Sequence, residues 1–345
     1  MTSADVTILG AGIFGLSIAW ACQQRGASVR VIDPGGPGAG ASGGIVGALA
    51  PHVPENWNDK KAFQLDSLLM AEAFWTGVEA ASGKTSGYGR TGRVQPLLDA
   101  RAVELARGRE TGAKELWQGQ ATWNVTQTPP GPVTPPSPTG WYIYDTLSAR
   151  LHPRQACLAL SEALQNRGAE MLTEGEPAGK VIHATGAAGL IEMSGKLDRA
   201  IGNGVKGQAA LLDFDARTGP QLFVDGLHIV PHGDGTTAIG STSEREYDAP
   251  DTTDDQLEEL IETARQALPE LREATVIERW AGLRPRSRSR APMLGAHPLR
   301  DGEYFANGGF KIGFGMAPKV AEVMADLVLE GRDRIPDGFR PEASL

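Results

Sequence analysis

The first fifteen residues hold the feature that most constrains the fold of this chain. A short apolar run, Val6–Leu9, precedes the motif Gly10-Ala11-Gly12-Ile13-Phe14-Gly15, and a helix is predicted from residue 13 to about residue 25. In such a G-x-G-x-x-G motif the first glycine permits a tight turn and the second lets a pyrophosphate approach the backbone. The third lets the helix pack closely on the strand. The motif therefore predicts a dinucleotide site at the start of the helix.

A second predicted strand completes a βαβ unit. Val29–Ile32 is apolar and is followed by Asp33 and Pro34. At the end of this strand the Asp33 carboxylate can accept hydrogen bonds from both ribose hydroxyls of an adenosine. An acid here disfavours a ribose 2′-phosphate, so the unit indicates FAD or NAD rather than NADP.

Composition excludes several classes of protein. The 345 residues include 33 lysines and arginines against 42 aspartates and glutamates, so a net charge of −9 argues against a nucleic-acid partner. Two cysteines, Cys22 and Cys157, can form neither a disulfide framework nor a four-ligand zinc site, and no metal site is predicted. We expect no signal peptide and no membrane span, and hence a cytoplasmic protein.

The rest of the chain alternates between helical and strand-rich parts. Residues 88–146 and 205–248 are predicted to be rich in strands. Further helices are predicted over 63–81, 153–167, 253–268 (opened by a capping box, Thr253-x-x-Gln256) and 318–330, with Pro318 first. This order predicts two interleaved domains: a cofactor domain over 1–84, 147–200 and 276–345, and a substrate domain over 85–146 and 201–275.

Four later segments, taken with the first motif, carry a resemblance to a known family. They are residues 40–48 (GASGGIVGA), 184–187 (ATGA), 280–285 (WAGLRP) and 307–313 (NGGFKIG), the last followed by Ala317 and Pro318. In this order they resemble the FAD-dependent D-amino-acid oxidase family, especially its glycine-oxidase-like members. The resemblance implies an α/β fold with a Rossmann-like FAD-binding domain (glutathione-reductase-like, three-layer). A substrate domain of α+β type, built on an antiparallel sheet, would be interleaved with it.

The resemblance also assigns residues to the cofactor. Backbone N–H groups of 309–313 and the start of helix 318–330 would favour negative charge on the reduced flavin. A covalent bond to a late cysteine, as in related sarcosine oxidases, is impossible because no cysteine follows Cys157, so noncovalent FAD is expected. The implied FAD-binding residues are Gly10, Gly12, Ile13, Phe14, Gly15, Asp33, Pro34, Ala41, Ser42, Val46, Gly47, Ala48, Thr185, Gly186, Gly309, Phe310, Lys311, Ile312 and Gly313.

Four side chains are candidates for the substrate side. Arg284, in the segment similar to the family's carboxylate-binding segment, can hold a carboxylate through two parallel hydrogen bonds. Lys311 falls where relatives often place a polar or basic residue, with a solvated side chain as the alternative. His52 follows the flavin loop, and His228 falls where relatives carry an aromatic lid. For both histidines the alternative is a structural role outside the chemistry.

An arginine alternation suggests a further property of the site. Arg284, Arg286, Arg288 and Arg290 would share one side of an extended strand. The sharper hypothesis is a preference for an anionic or dicarboxylic substrate; the other is a solvated strand edge beyond Arg284.

The chain departs from the family where relatives have a strand and a hairpin. Only residues 169–182 fill that interval, so part of the wall beside the adenine is expected to be missing. FAD would then bind less tightly or more openly at that end.

The leading interpretation is an amine-oxidising flavoenzyme. It would oxidise the C–N bond of a small amino acid or N-methyl amino acid by hydride transfer to flavin N5, giving an imine and then an oxo acid. Oxygen or another acceptor would reoxidise the flavin. The alternatives are a tRNA-modification-type flavoenzyme, a non-catalytic flavin-binding subunit of a larger complex, and an NAD-only dehydrogenase. A homo-oligomer is left open.

Overall fold

The computed structural model describes residues 4–345 and contains two large sheets, one small sheet and seven α-helices within that range. The helices are α1 Ile13–Gln24, α2 Asp59–Ser82, α3 Ala100–Leu116, α4 Pro153–Asn166, α5 Gly186–Lys196, α6 Asp255–Ala267 and α7 Gly313–Glu330. The strands are β1 Val6–Leu9, β2 Val29–Ile32, β3 Ala48–Leu49, β4 Arg93–Pro96, β5 Trp123–Thr126, β6 Tyr142–Asp145, β7 Ala149–Arg150, β8 Glu170–Leu172, β9 Lys180–His183, β10 Gly202–Asp213, β11 Gln221–Val224, β12 Leu227–Pro231, β13 Thr237–Gly240, β14 Thr275–Ser287, β15 Met293–Ala296 and β16 Tyr304–Asn307.

A six-stranded sheet carries the predicted βαβ unit. Its order is β15-β16-β9-β1-β2-β8, and all its pairings are parallel except that of β15 with β16. Residues of β1 and β9, such as Ile8 and Ile182, share a core with apolar side chains of α1, α4 and α7. On the other face, Leu190 and Met193 of α5 pack with Phe305 of β16. The predicted Rossmann-like domain is thus confirmed.

The second large sheet is mainly antiparallel and confirms the predicted α+β companion. Its order is β14-β10-β13-β12-β11-β4-β6-β5. The amphipathic helix α6 covers one face with Leu257, Ile261 and Ala264, because these apolar positions recur at helical spacing. The exact domain boundaries stay a prediction. The boundary at 276 places β14 in the cofactor domain, whereas β14 pairs with β10 from end to end.

Three local predictions were wrong. The strand-rich stretch 88–146 contains α3, whose charged sequence buries only Ala106 and Ala113 and so shows no clear apolar stripe. Helix α7 begins at Gly313 and not at Pro318, which lies inside it. The cap of α6 is Asp254, whose carboxylate accepts from the Gln256 N–H at 3.1 Å, so Thr253 does not cap the helix.

The shortened interval 169–182 contributes one edge strand and a tight return. β8 pairs with β2, and the chain then turns back to β9 through Gly179, which has φ +65°. A Cβ on Gly179 would lie 2.2 Å from the Asp5 carbonyl oxygen, so only glycine fits this close approach. In the described part of the chain, no helix is long and apolar enough to cross a membrane.

Candidate cofactor and substrate cleft

A deep cleft lies where the two large sheets meet, and chain segments distant in sequence line it. Its empty volume is about 1540 Å³, including space open to solvent. Its lining is mostly apolar with a few polar groups, as is usual for a ligand-binding cleft. The lining comes from residues 12–14, 41–42, 44–48, 306–311 and 313–315, from Pro153, Ala184 and Gly186, and from Ala209, Phe223, Gly226, His228, Ser241, Trp280, Arg284 and Pro285.

Two helix N-termini converge on this cleft without acidic side chains. Gly12 is the N-cap of α1 and Ile312 that of α7; neither provides a capping side chain, and neither first turn contains an acid. Residues of both first turns line the cleft. Free backbone N–H groups and the positive ends of two helix dipoles favour a negatively charged ligand.

The N-terminal glycines are required by close backbone packing. A Cβ on Gly10 would lie 2.3 Å from the Ala184 carbonyl oxygen, and one on Gly15 would lie 1.9 Å from the Gly10 carbonyl oxygen. Gly12 differs, because its added Cβ would meet only the Ser42 Oγ, at 3.2 Å. Gly10 and Gly15 therefore shape the turn, whereas Gly12 faces the cleft.

Asp33 fixes this turn from the end of β2. Its Oδ2 accepts from the Ala11 N–H at 2.7 Å and its Oδ1 from the Gly35 N–H at 2.9 Å. Neither Asp33 nor Pro34 lines the cleft itself. The carboxylate retains lone pairs for further donors.

The loop 40–48 crosses the cleft between the two sheets. Ser42 lies in a single 3₁₀ turn, Ala41–Gly43, and its Oγ accepts from the Ile13 N–H at 2.9 Å. The Trp280 ring lies against Gly44, where an added Cβ would be 3.4 Å away. The loop is thus held by α1 on one side and by β14 on the other.

The C-terminal loop closes the opposite wall. Gly308 has φ +79° and Phe310 has φ +44°, and the Phe310 N–H donates to the Pro285 carbonyl at 3.0 Å. A Cβ on Gly309 would lie 3.0 Å from the Phe14 ring, so this loop touches α1. The first and last helices of the fold therefore meet across the cleft.

Arg284 reaches the cleft from β14 across β10. Its guanidinium donates to the Ser241 Oγ at 2.7 Å and to the carbonyls of Lys206 and Thr242. Gly207 makes room for it, because an added Cβ there would lie 2.1 Å from an Arg284 nitrogen. Burial lowers the pKa of Arg284 to about 10, so it stays protonated at neutral pH, and its buried Nε has no protein acceptor among the described residues.

His228 lines the cleft from β12 as a neutral imidazole. Burial, with smaller contributions from Arg93 and Lys311, lowers its pKa to about 3. Its ring centroid lies 4.7 Å from that of Phe223, and its buried Nδ1 has no partner in the described chain. Lys311 lies on the exposed rim; partial burial and the neighbouring Arg284 and Arg286 lower the pKa of its ammonium.

Several predicted site residues lie outside the cleft. His52 does not line the cleft; Gln64 accepts from its backbone N–H at 2.8 Å and contacts its ring, and its role in the chemistry stays a prediction. Thr185 precedes α5 and packs against Gly189. Gly10, Gly15, Thr185 and Ile312 support lining residues without lining the cleft.

Sequence reasoning gave no role to several lining side chains. Trp280, Phe223 and Phe314 are aromatic residues of the lining, and Ser241 anchors Arg284. Trp280 lies in the WAGLRP segment, which could have drawn attention to it. Phe223 and Ser241 carry no local signal, because only the pairing of β10 to β13 brings them to the cleft.

The alternating arginines do not all share a strand. β14 ends at Ser287, so Arg288 and Arg290 lie in the following turn, where Arg290 has φ +61°. Arg284 and Arg286 remain on one side of the strand, both over the ring of Phe310. The prediction of four aligned arginines was therefore wrong beyond Arg286.

One group of ligating side chains lies outside the cleft lining. His152, His232 and Asp234 have candidate ligand atoms within 4.8 Å of one another. The Asp234 carboxylate already accepts from Thr236 and from Gln155, which closes the turn after β12. These hydrogen bonds give the aspartate a structural role in the turn.

Comparison with known proteins places the chain among flavoenzymes. A family model described as FAD dependent oxidoreductase matches residues 5–327. A glycine oxidase of Pseudomonas putida is 29% identical over 380 residues, covering 99% of this chain and all of the relative.

Two solved structures show the same fold. Glycine oxidase from Geobacillus kaustophilus has a TM-score of 0.82 at 20% identity and covers 98% of both chains. Iminodiacetate oxidase from Chelativorans sp. BNC1 has a TM-score of 0.80 at 21% identity, over 97% of this chain and 98% of that one. The predicted fold class is confirmed by these likenesses.

Proposed function

Because this chain belongs to the family of FAD-dependent oxidoreductases, we propose that it oxidises the C–N bond of a small amino acid or N-methyl amino acid. The observation that carries the proposal is Arg284, a protonated guanidinium with a buried, unpartnered Nε in a cleft whose lining contains no carboxylate. The names of the relatives, glycine oxidase and iminodiacetate oxidase, point to the same class of substrate.

The residues of the cleft fit FAD. Gly12 lines the cleft as the N-cap of α1 and has no side chain of its own to cap the helix, and this arrangement suits the pyrophosphate. The N-terminus of α7 suits the anionic edge of the isoalloxazine, and Asp33 suits the adenosine ribose. Bound FAD would supply the two-electron acceptor for the hydride leaving the substrate α-carbon, so that the amine becomes an imine that water hydrolyses to an oxo acid.

The protein's own contribution is binding and orientation. Ser241 and two backbone carbonyls fix the Arg284 guanidinium, so a carboxylate bound to it is held in one place. His228 stays neutral above its pKa of about 3 and can donate or accept a hydrogen bond without bringing charge. The aromatic rings of Trp280 and Phe223 line the same cleft and would exclude water around a bound substrate.

We further propose noncovalent FAD. Cys22 and Cys157 are buried, and burial raises the pKa of both thiols to about 12, so neither is a reactive thiolate. Acid precipitation should release the flavin into the supernatant. Yellow colour that stays with the precipitated polypeptide would overturn this expectation.

The test of the proposed reaction is anaerobic bleaching of the purified protein. We expect flavin absorbance peaks near ~370 and ~450 nm, a general property of the cofactor. A panel of glycine, sarcosine and D- and L-amino acids should include at least one compound that bleaches the 450 nm peak. If none does, the chain is better explained as a non-catalytic flavin-binding subunit. Mixing the reduced protein with oxygen or with an artificial acceptor then identifies its oxidant.

Replacing Arg284 tests the observation on which the proposal rests. Arg284→Lys keeps the charge but loses the planar fork, so kcat/KM should fall by about 100-fold, mainly through KM. Gly207→Ala should reproduce much of this loss, because its Cβ would displace the same guanidinium. Unchanged KM in both variants would remove Arg284 from substrate binding.

A further inference from the structure

Three cations are gathered on one phenyl ring at the substrate end of the cleft. The Phe310 ring centroid lies 5.6 Å from the guanidinium carbon of Arg284, 5.5 Å from that of Arg286 and 5.8 Å from the Nζ of Lys311. Because all three distances are measured to the same ring centroid, no two of these cations can be farther apart than the sum of their own two distances. The backbone of Phe310 has φ +44°, and its N–H donates to the Pro285 carbonyl, which places the ring beside β14.

These cations have no paired carboxylate in residues 4–345. None of them takes part in an ion pair, and the side chains of Arg286 and Lys311 make no hydrogen bond to a protein acceptor. Glu244 is the acid whose charge raises the pKa of Arg284. Its carboxylate, however, already accepts from Gln208 at 3.0 Å and pairs with Lys206 at 3.5 Å. The repulsion among the three like charges is thus left for a ligand to offset.

One carboxylate does not account for three cations. Arg284 is anchored through Ser241 and backbone carbonyls and is sufficient to orient an α-carboxylate. Arg286 lies two positions along β14, half-buried and just outside the cleft lining, and Lys311 lies on the exposed rim. A second negative group of the same ligand would meet these two cations at the rim.

We propose that the preferred substrate carries two carboxylates, one bound by Arg284 and the second by Arg286 and Lys311 beside Phe310. This inference rests on the proposed amine oxidation and names its substrate class, the amino- and iminodicarboxylates. A monocarboxylate such as glycine would use only the first of the two positions.

Matched substrate pairs test the proposal on the holoenzyme. We expect kcat/KM for iminodiacetate or aspartate to exceed that for sarcosine or alanine of the same configuration by at least about tenfold, which corresponds to one added hydrogen bond between charged groups. Arg286→Met should lower the dicarboxylate preference about tenfold, through KM and not kcat. Arg288→Met removes the same charge from the exposed turn beyond the strand and should leave the preference unchanged.

Binding measurements give a readout that does not depend on turnover. Calorimetry should show malonate binding the oxidised holoenzyme more tightly than acetate, with the difference reduced in Arg286→Met and by added salt. Equal affinity for malonate and acetate, or equal preference in Arg286→Met and the parent, overturns the proposal while amine oxidation stands. If no amine reduces the flavin but malonate still binds more tightly than acetate, the proposed reaction is refuted and the dianion site is supported.

Discussion

At the scale of single residues, the glycines of the first motif divide into two kinds. Gly10 and Gly15 are fixed by the backbone atoms that a Cβ would strike, so their identity is a requirement of folding. At Gly12 an added Cβ would meet only the Ser42 Oγ, at 3.2 Å, so we attribute this glycine to the proposed contact with the pyrophosphate. The same motif therefore carries a structural requirement and a functional one.

Gly12→Ala separates these two roles. We expect the variant to fold, because φ at this position is an ordinary −78°, but to lose FAD during purification. Gly77→Ala is the matched control: it lies on an exposed face of α2 with nothing within 4 Å, and it should keep FAD and gain about 0.5–1 kcal/mol of stability. The flavin-to-protein absorbance ratio measures retention, and a fully loaded Gly12→Ala protein would count against the assigned pyrophosphate position.

At the scale of elements, the start of α6 joins helix capping to a buried charge. Lys206 on β10 is 2% exposed, and its Nζ lies 2.8 Å from an oxygen of Asp254, the cap of α6. Gln208 on the same strand donates to Asp254 at 2.7 Å. One carboxylate thus ties the helix to the sheet that holds Arg284.

Replacing Asp254 should therefore lower the stability of the protein more than the loss of an ordinary helix cap does. Asp254→Ala removes a partner of the buried Lys206 as well as the cap, so we expect the thermal unfolding midpoint to fall by about 3 °C or more. Thr253→Ala, at the exposed residue that the capping-box pattern singles out, should leave the midpoint within about 1 °C. Equal shifts in the two variants would mean that the Asp254 contacts add nothing.

At the scale of the whole molecule, buried neutral histidines tie stability to pH. Burial lowers the pKa of His228 to about 3 and that of His232 to about 4, against 6.5 for a free imidazole. Below pH 6.5 the unfolded chain binds protons that the folded chain does not, so stability falls as the pH falls. The loss continues to about pH 4 for His232 and to about pH 3 for His228.

We expect each histidine to contribute a slope of about 1.4 kcal/mol per pH unit near pH 5, where the unfolded imidazole is protonated and the folded one is neutral. Denaturant unfolding of the holoprotein at several pH values measures the total slope. His232→Gln should reduce this slope by the contribution of one histidine. This reduction is independent of any change in the free energy of unfolding at pH 7. An unchanged slope would show that His232 is protonated in the folded protein.

The sequence by itself determined the parts of this protein that depend on short-range pattern. The first βαβ unit and the alternation of helical and strand-rich parts were readable, because strand, turn and helix signals lie within a few residues of one another. The role of Arg284 was suggested only by the family resemblance of its segment and stays a prediction. Polar α3 and the early start of α7 were missed, since weak stripes, glycines and an internal proline obscure helical periodicity.

Only the tertiary structure decided what the cleft contains. The β10–β14 pairing carries Arg284 past Gly207 to Ser241, and the left-handed turn at Phe310 brings three cations onto one ring. The tertiary structure also places His52 outside the cleft, where its backbone N–H donates to Gln64. These arrangements join residues far apart in the chain, and they follow from strand register and close packing, which no local pattern encodes.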